Sequence, residues 1–240
     1  MTYCLGIKTK TGLVGISDTR ITSGTEVSSA RKVSVHQMKN HSFFVMTSGL
    51  RSVRDKAITY FQEEIGENDD HFNKMYKAVN GLARQVRRVA EEDKTALHEG
   101  GLDFNLHAIV GGQCEDDEEH KLFLLYPEGN WIEIGESSPF VIIGNTGYGK
   151  PLLYRNLTYH SSISEALKLG FLSFDATKVS VNDVDYPIDV TLYDRNSFNV
   201  IQQRLTREEM EPVSRNWNRL LSESINQLED TWIEDLLMKV

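Results

Sequence analysis

Two long amphipathic stripes follow one another in the first half of this chain, with strand-like runs on both sides of them, and that order excludes most folds. Val53, Ala57, Ile58, Phe61 and Ile65 recur at the spacing of one helix face. Phe72, Met75, Tyr76, Val79, Leu82, Ala83, Val86, Val89 and Ala90 do so again, and Gly66-Glu67-Asn68 between the two stripes is a stop signal. Before them, apolar segments at 3–7 and 13–16 flank Lys10-Thr11-Gly12, a hairpin turn, and further strands are expected at 32–35 and 43–47. After them, strand character returns at 104–110, 122–126, 131–134 and 140–143, with an acidic turn at 115–119. A third helix carries Ile163, Ala166, Leu167, Phe171 and Phe174 behind the capping-box pattern Ser162-Ile163-Ser164-Glu165. Strands at 188–193 and 198–201 follow. A second possible capping box at 206–209 then opens a helical stripe through Trp217, Leu220, Leu221, Ile225, Leu228 and Trp232. Tight hairpins in place of strand–helix–strand alternation predict antiparallel sheets with helices on their outer faces. The expected fold class is therefore α+β, a four-layer αββα sandwich, with residues 1–240 forming a single domain that carries a C-terminal helical extension.

Composition narrows the function. With 40% hydrophobic and 25% charged residues the chain buries a substantial core and is not disordered. A net charge of -9 repels nucleic acid and anionic membrane, so neither is expected as a partner. Arg84, Arg87 and Arg88 form the one basic cluster, read as a solvated helix face or a subunit contact. Cys4 and Cys114 lack CxxC spacing, which argues against a disulfide framework or a zinc site and fits a reducing cytoplasm. The histidines are scattered with no HExxH, and no metal or cofactor is expected. The start of the chain lacks a signal-peptide pattern and no apolar run approaches the roughly 20 residues of a membrane helix, so Thr2 is expected to be a mature terminus in a cytoplasmic protein. Residues 144–150 match the GxxxxGK part of a phosphate-binding loop, but Pro151 replaces the magnesium-binding hydroxyl and the surrounding strand–helix–strand unit is missing. That segment reads as a glycine-rich turn leading into a helix.

The second residue carries the chemistry. Taken alone, Thr2 is equally an ordinary residue at the start of a strand. Once an initiator methionine is trimmed, however, it holds a hydroxyl and a free α-amine, and such an amine titrates at about 7.7 to 8.0. A useful neutral fraction then accepts the hydroxyl proton, so nucleophile and base share one residue. A fixed cation favours the alkoxide; Lys32 is the candidate, with Asp18, at the end of the second strand, holding it charged and oriented. Each of these is otherwise a strand-end salt bridge.

The opening Met1-Thr2-Tyr3-Cys4-Leu5-Gly6-Ile7, then Ser17-Asp18-Thr19-Arg20, Arg31-Lys32-Val33 and Ser48-Gly49 resemble the N-terminal region of proteasome β-type subunits. The likeness continues at Asn145-Thr146-Gly147-Tyr148-Gly149-Lys150-Pro151, Ser173-Phe174-Asp175 and Pro187-Ile188-Asp189, and is closest to the bacterial proteasome-related family called Anbu, the ancestral β subunit. The resemblance implies an N-terminal-nucleophile hydrolase fold and a threonine-type endopeptidase. In it Thr2 is the nucleophile and its amine the base, Lys32 tunes the pair, Asp18 orients Lys32, Asp175, directly after the third helix, positions the amine and the Gly49 N–H stabilises the oxyanion. It also implies a homo-oligomer, a spiral or ring of β-type subunits, acting on peptides or unfolded protein without a cofactor, and leaves any ATPase partner unknown. Two positions depart from the general proteasome pattern. Tyr148 stands where those subunits usually carry a serine, and Lys178 stands at the other serine position, with Ser180 as a nearby hydroxyl. These departures keep two alternatives open: an assembling scaffold or binding subunit with little peptidase activity, and a hydrolase for a small or unusual amide.

Overall fold

The computed structural model describes residues 2–23, 25–39, 41–67 and 72–239; Met1 and the Asn68 of the expected helix stop lie outside them. The chain divides into two compact units, one ending at Leu205 and one beginning at Thr206.

In the first unit, β1 (Tyr3–Lys8) and β2 (Gly12–Asp18) form the expected hairpin, followed by the short strands β3 (Arg20–Ser23) and β4 (Glu26–Ser29). Then come β5 (Val33–Gln37), β6 (His41–Gly49), the two helices α1 (Arg51–Glu67) and α2 (Met75–Glu99), and β7 (Leu106–Cys114), β8 (Lys121–Leu125), β9 (Trp131–Glu133) and β10 (Phe140–Gly144). Helices α3 (Lys150–Asn156) and α4 (Ile163–Ser180) precede β11 (Ile188–Asp194) and β12 (Val200–Leu205). One five-stranded sheet has the order β10-β1-β2-β11-β12 and the other β5-β6-β7-β8-β9, with every pairing antiparallel.

Side-chain alternation builds the layers. In β6, Phe43 and Val45 join the cluster beneath α1 and α2, while Phe44 and Met46 point the other way into the space between the sheets. In β7, Ala108 and Val110 face the helices and Ile109 faces the opposite sheet. Cys4 and Leu13 meet that inter-sheet cluster from the first sheet. On its other side Leu5, Ile7 and Ile16 press against Gly170 of α4. The result is helices, sheet, sheet, helices, an α+β four-layer sandwich. Both faces of β1 and β2 are covered, which is why these strands are buried throughout and mostly apolar.

Several local expectations are corrected. The helix behind the Ser162 capping box, which forms in both halves, does not stop at Phe174 but runs to Ser180, so Asp175 lies inside α4 and not after it. Ala176 and Lys178 sustain a helix, and no Gly or Pro intervenes. The β3–β4 hairpin went unanticipated because Glu26–Ser29 is exposed along its whole length and lacks apolar alternation. Tyr76 sits beside the core stripe, exposed, since its neighbour Met75 takes the inward direction. The basic cluster, by contrast, is the solvated helix face expected of it, with all three arginines exposed and each also partnered within the chain. Arg84 pairs with Glu64, Arg87 donates to the Gly129 carbonyl, and Arg88 pairs with Glu92 while lying over the Tyr60 ring.

The second unit contains α5 (Arg207–Asn226), opened by a complete Thr206–Glu209 capping box, and α6 (Thr231–Leu237). Leu220, Leu221, Ile225, Leu228 and Trp232 of the expected stripe are exposed.

Candidate active site

The site is assembled around the entry to β1, an interior strand. The Asn145 N–H donates to the Thr2 carbonyl at 2.7 Å. Gly144 beside it has φ +86°, and a Cβ there would lie 2.0 Å from that same carbonyl oxygen, so a glycine is required where β10 closes on Thr2. Tyr3 is fully buried: its ring meets the edge of Phe174 and its hydroxyl donates to Ser173 Oγ at 2.7 Å. Thr2 is thus held by backbone on one side and by a neighbour locked into α4 on the other.

Asp18 ends β2 with 0% exposure and acts as a hub. Its Oδ1 accepts the Lys32 ammonium at 2.6 Å and the Tyr3 N–H at 2.9 Å. Lys32 is 5% exposed and precedes β5; its carbonyl accepts the Thr47 N–H at 2.9 Å, tying it to β6. Burial raises the Asp18 carboxyl above the usual carboxylate range, opposed first by the Lys32 ammonium and then by its N–H donors. Burial likewise pushes the Cys4 thiol up, opposed by Lys32 and, more weakly, by Arg54, while Asp18 and Asp189 add to the rise.

Asp175 is 3% exposed and follows Ser173 and Phe174, the two residues that touch Tyr3. Lys178 Nζ lies 3.6 Å from its Oδ1 and 5.5 Å from the centre of the Tyr186 ring. Gly49 is exposed at the end of β6, two residues beyond Thr47, with φ +142°, and a Cβ there would lie 2.0 Å from the Asn105 carbonyl oxygen. Ser180 donates its hydroxyl to the Ala176 carbonyl and is exposed, so it does not stand in for a missing serine. Thr2, Asp18 and Lys32 are linked through the Tyr3 N–H and the Asp18 carboxylate. Asp175 connects to that group through its helix, and Gly49 through its strand. Thr47 stood in an expected strand, and Ser173 and Asn145 stood within the likeness, but none was given a role, because each acts through a hydrogen bond that only the folded chain makes.

Two antiparallel sheets sheathed by helices, with the second residue anchored at the head of an interior strand, form the fold of the N-terminal-nucleophile hydrolases. Within that class the chain belongs to the proteasome subunit family, whose model matches residues 2–191. It is similar to Anbu (ancestral beta-subunit) from Yersinia bercovieri, at 28% identity and TM-score 0.88, covering 95% of this chain and 98% of that one. The helical assembly of the Anbu complex from Pseudomonas aeruginosa matches at 28% identity and TM-score 0.89, over 95% and 97% of the two chains. An Anbu (Gly-1) mutant from Hyphomicrobium sp. strain MC1 matches at 29% and 0.87, over 95% and 98%. No curated protein sequence matches the chain.

Proposed function

We propose that the chain is a threonine-type peptidase of a self-assembling proteasome-like complex, with Thr2 as nucleophile once Met1 has been removed. The supporting observation is the hub at Asp18, whose single buried oxygen holds both the Lys32 ammonium and the backbone N–H that follows Thr2. The Thr2 α-amine takes the hydroxyl proton as Oγ bonds to the substrate carbonyl carbon. The carbonyl electron pair moves to oxygen, and the Gly49 N–H stabilises that oxyanion. Collapse breaks the C–N bond, the ammonium proton passes to the departing amine, and an ester remains on Thr2. Water, deprotonated by the same amine, then hydrolyses the ester. Lys32 favours the ionised hydroxyl and keeps the amine from over-protonation, and Asp175 positions the amine. The complex is read as a homo-oligomer, a reading supported by the helical assembly of the Pseudomonas relative.

A peptide epoxyketone tests this reading. The Thr2 hydroxyl attacks its ketone and the α-amine opens its epoxide, closing a six-membered ring only where both groups belong to one terminal residue. Protein lacking Met1 is expected to gain the two-point adduct at Thr2, and a variant retaining Met1 is expected to gain none. Equal labelling of both forms, or labelling elsewhere, overturns the mechanism.

A second reading, a scaffold subunit with little peptidase activity, is favoured by one observation. The Lys178 ammonium occupies the side of Asp175 where a neutral hydroxyl is expected, and Tyr148 is half exposed. An intact assembly that neither cleaves peptides nor reacts with the epoxyketone supports it.

A further inference from the structure

A cavity of about 240 Å³ opens between β5, β6 and the first turns of α1, and both Lys32 and Thr47 line it. It is smaller than the roughly 300–1,000 Å³ of small-molecule sites and suits a single side chain. One wall is apolar, formed by Val45 and Ile58, and the other carries Arg31, Arg54 and Asp55. Resting on the peptidase reading, we infer that this cavity receives an acidic side chain of the peptide substrate, glutamate in particular, and that Arg54 is the specificity-determining residue.

The charge balance supports this. The Arg54 side chain is only 15% exposed, so its guanidinium is held inside the cavity wall. Its Nε and Nη2 donate to Asp55 Oδ1 at 2.8 and 2.6 Å, while Nη1 reaches the Arg31 carbonyl only at 3.4 Å. Asp55 is itself shared, because Arg51 Nε donates to its other oxygen at 3.3 Å. Two guanidinium groups, those of Arg51 and Arg54, thus share one carboxylate, Arg31 adds a further positive charge to the cavity lining, and Lys32 is matched separately by Asp18. The surplus is positive. The long Nη1 contact leaves donor capacity that a planar carboxylate matches better than any neutral group. Glutamate fits both walls: its methylenes lie on Val45 and Ile58 and its carboxylate meets Arg54. Lysine is repelled, and leucine leaves the guanidinium without a new acceptor.

The test separates binding from catalysis. N-acetylated, C-terminally amidated tetrapeptides ending in Glu, Gln, Leu or Lys carry their only possible carboxylate on the last side chain. They are titrated calorimetrically into the Thr2→Ala chain, which binds without turnover. The Glu peptide is expected to bind about tenfold more tightly than its Gln isostere, the gain of a charge-assisted hydrogen bond, with Lys weakest. That margin should shrink as salt is raised. Arg54→Gln is expected to remove most of the margin, and Asp55→Asn to widen it. Equal or better binding of Gln or Leu, binding of none, or a Glu margin unchanged in Arg54→Gln overturns the inference. The four-peptide comparison on the Thr2→Ala chain decides the matter even if Arg54→Gln fails to fold. Hydrolysis of the matching amides by the chain with Thr2 intact is measured in parallel. Selective Glu binding without any cleavage refutes the peptidase reading and leaves the cavity assignment standing; cleavage with no Glu preference does the reverse.

Discussion

Asp18 joins three parts of the molecule at one carboxyl group, and its burial makes those links costly to break. Removing one partner of a buried ion pair typically costs about 3–5 kcal/mol, because the remaining charge has no compensation. Lys32→Ala is therefore expected to lower stability as well as turnover, and its rate must be read on the folded fraction. Asp18→Asn retains an oxygen to accept the Tyr3 N–H and is expected to lose less of both. Single-turnover rates on a peptide ester and amide, paired with urea melts, give this order; Lys32→Ala turning over at the unsubstituted rate would remove Lys32 from the chemistry. Histidine makes a separate prediction. His36 stacks on Phe43 with its ring against Phe61, and burial followed by the charge of His41 lowers its pKa from 6.5 to about 4. Below pH 6.5 the unfolded chain takes up a proton that the folded chain refuses, so this residue leaves stability flat above pH 6.5 and erodes it progressively between 6.5 and 4. His36→Phe keeps the ring and is expected to flatten that acid limb in urea melts across pH 4 to 7; an unchanged slope would assign the acid loss to other groups.

Among the elements, β6 and α4 do the positioning. Strand β6 carries Thr47, which holds the Lys32 carbonyl, and ends at Gly49, whose φ of +142° turns the chain into α1. Gly49→Ala would place a methyl group 2.0 Å from the Asn105 oxygen, and a strained backbone of this kind costs on the order of 1–3 kcal/mol. The expected result is a lower thermal midpoint together with lost activity, and an unchanged midpoint would show that the strand end relaxes freely. Helix α4 presents Ser173 and Phe174 to Tyr3 and is anchored at its start by the reciprocal Ser162–Glu165 cap. Ser162→Ala is expected to cost about 1 kcal/mol in urea melts, with little change in activity, because the cap lies three turns from Asp175. The cap was legible because its two side chains lie three residues apart on one local turn. The continuation of the same helix through Asp175 was not, since nothing in its sequence marks an end.

For the whole molecule, the proposed assembly is the property with most consequence. Leu220, Leu221, Ile225, Leu228 and Trp232 leave apolar side chains exposed along α5 and beyond, the kind of surface that marks a protein contact when it is contiguous. Sedimentation at micromolar concentration is expected to give species well above the 27.3 kDa of one chain. A single 27.3 kDa boundary would contradict assembly and favour hydrolysis of a small amide, since an isolated subunit encloses no chamber.

Periodicity, glycine placement and the two capping boxes by themselves determined the sheets, the paired helices and the layer order, because each reports on neighbours only a few residues away. The family was legible as well, through a likeness running the length of the chain, and the threonine proposed to share its hydroxyl and amine once Met1 is gone was read from the same pattern. Tertiary structure decided which of those residues meet. The Asp18 hub joins positions 3, 18 and 32, Ser173 reaches Tyr3 across 170 residues, and Arg54 comes to line a cavity beside Lys32. No local pattern encodes such distances; they arise because hydrogen-bonded register and buried apolar faces leave the strands and helices one way to stack.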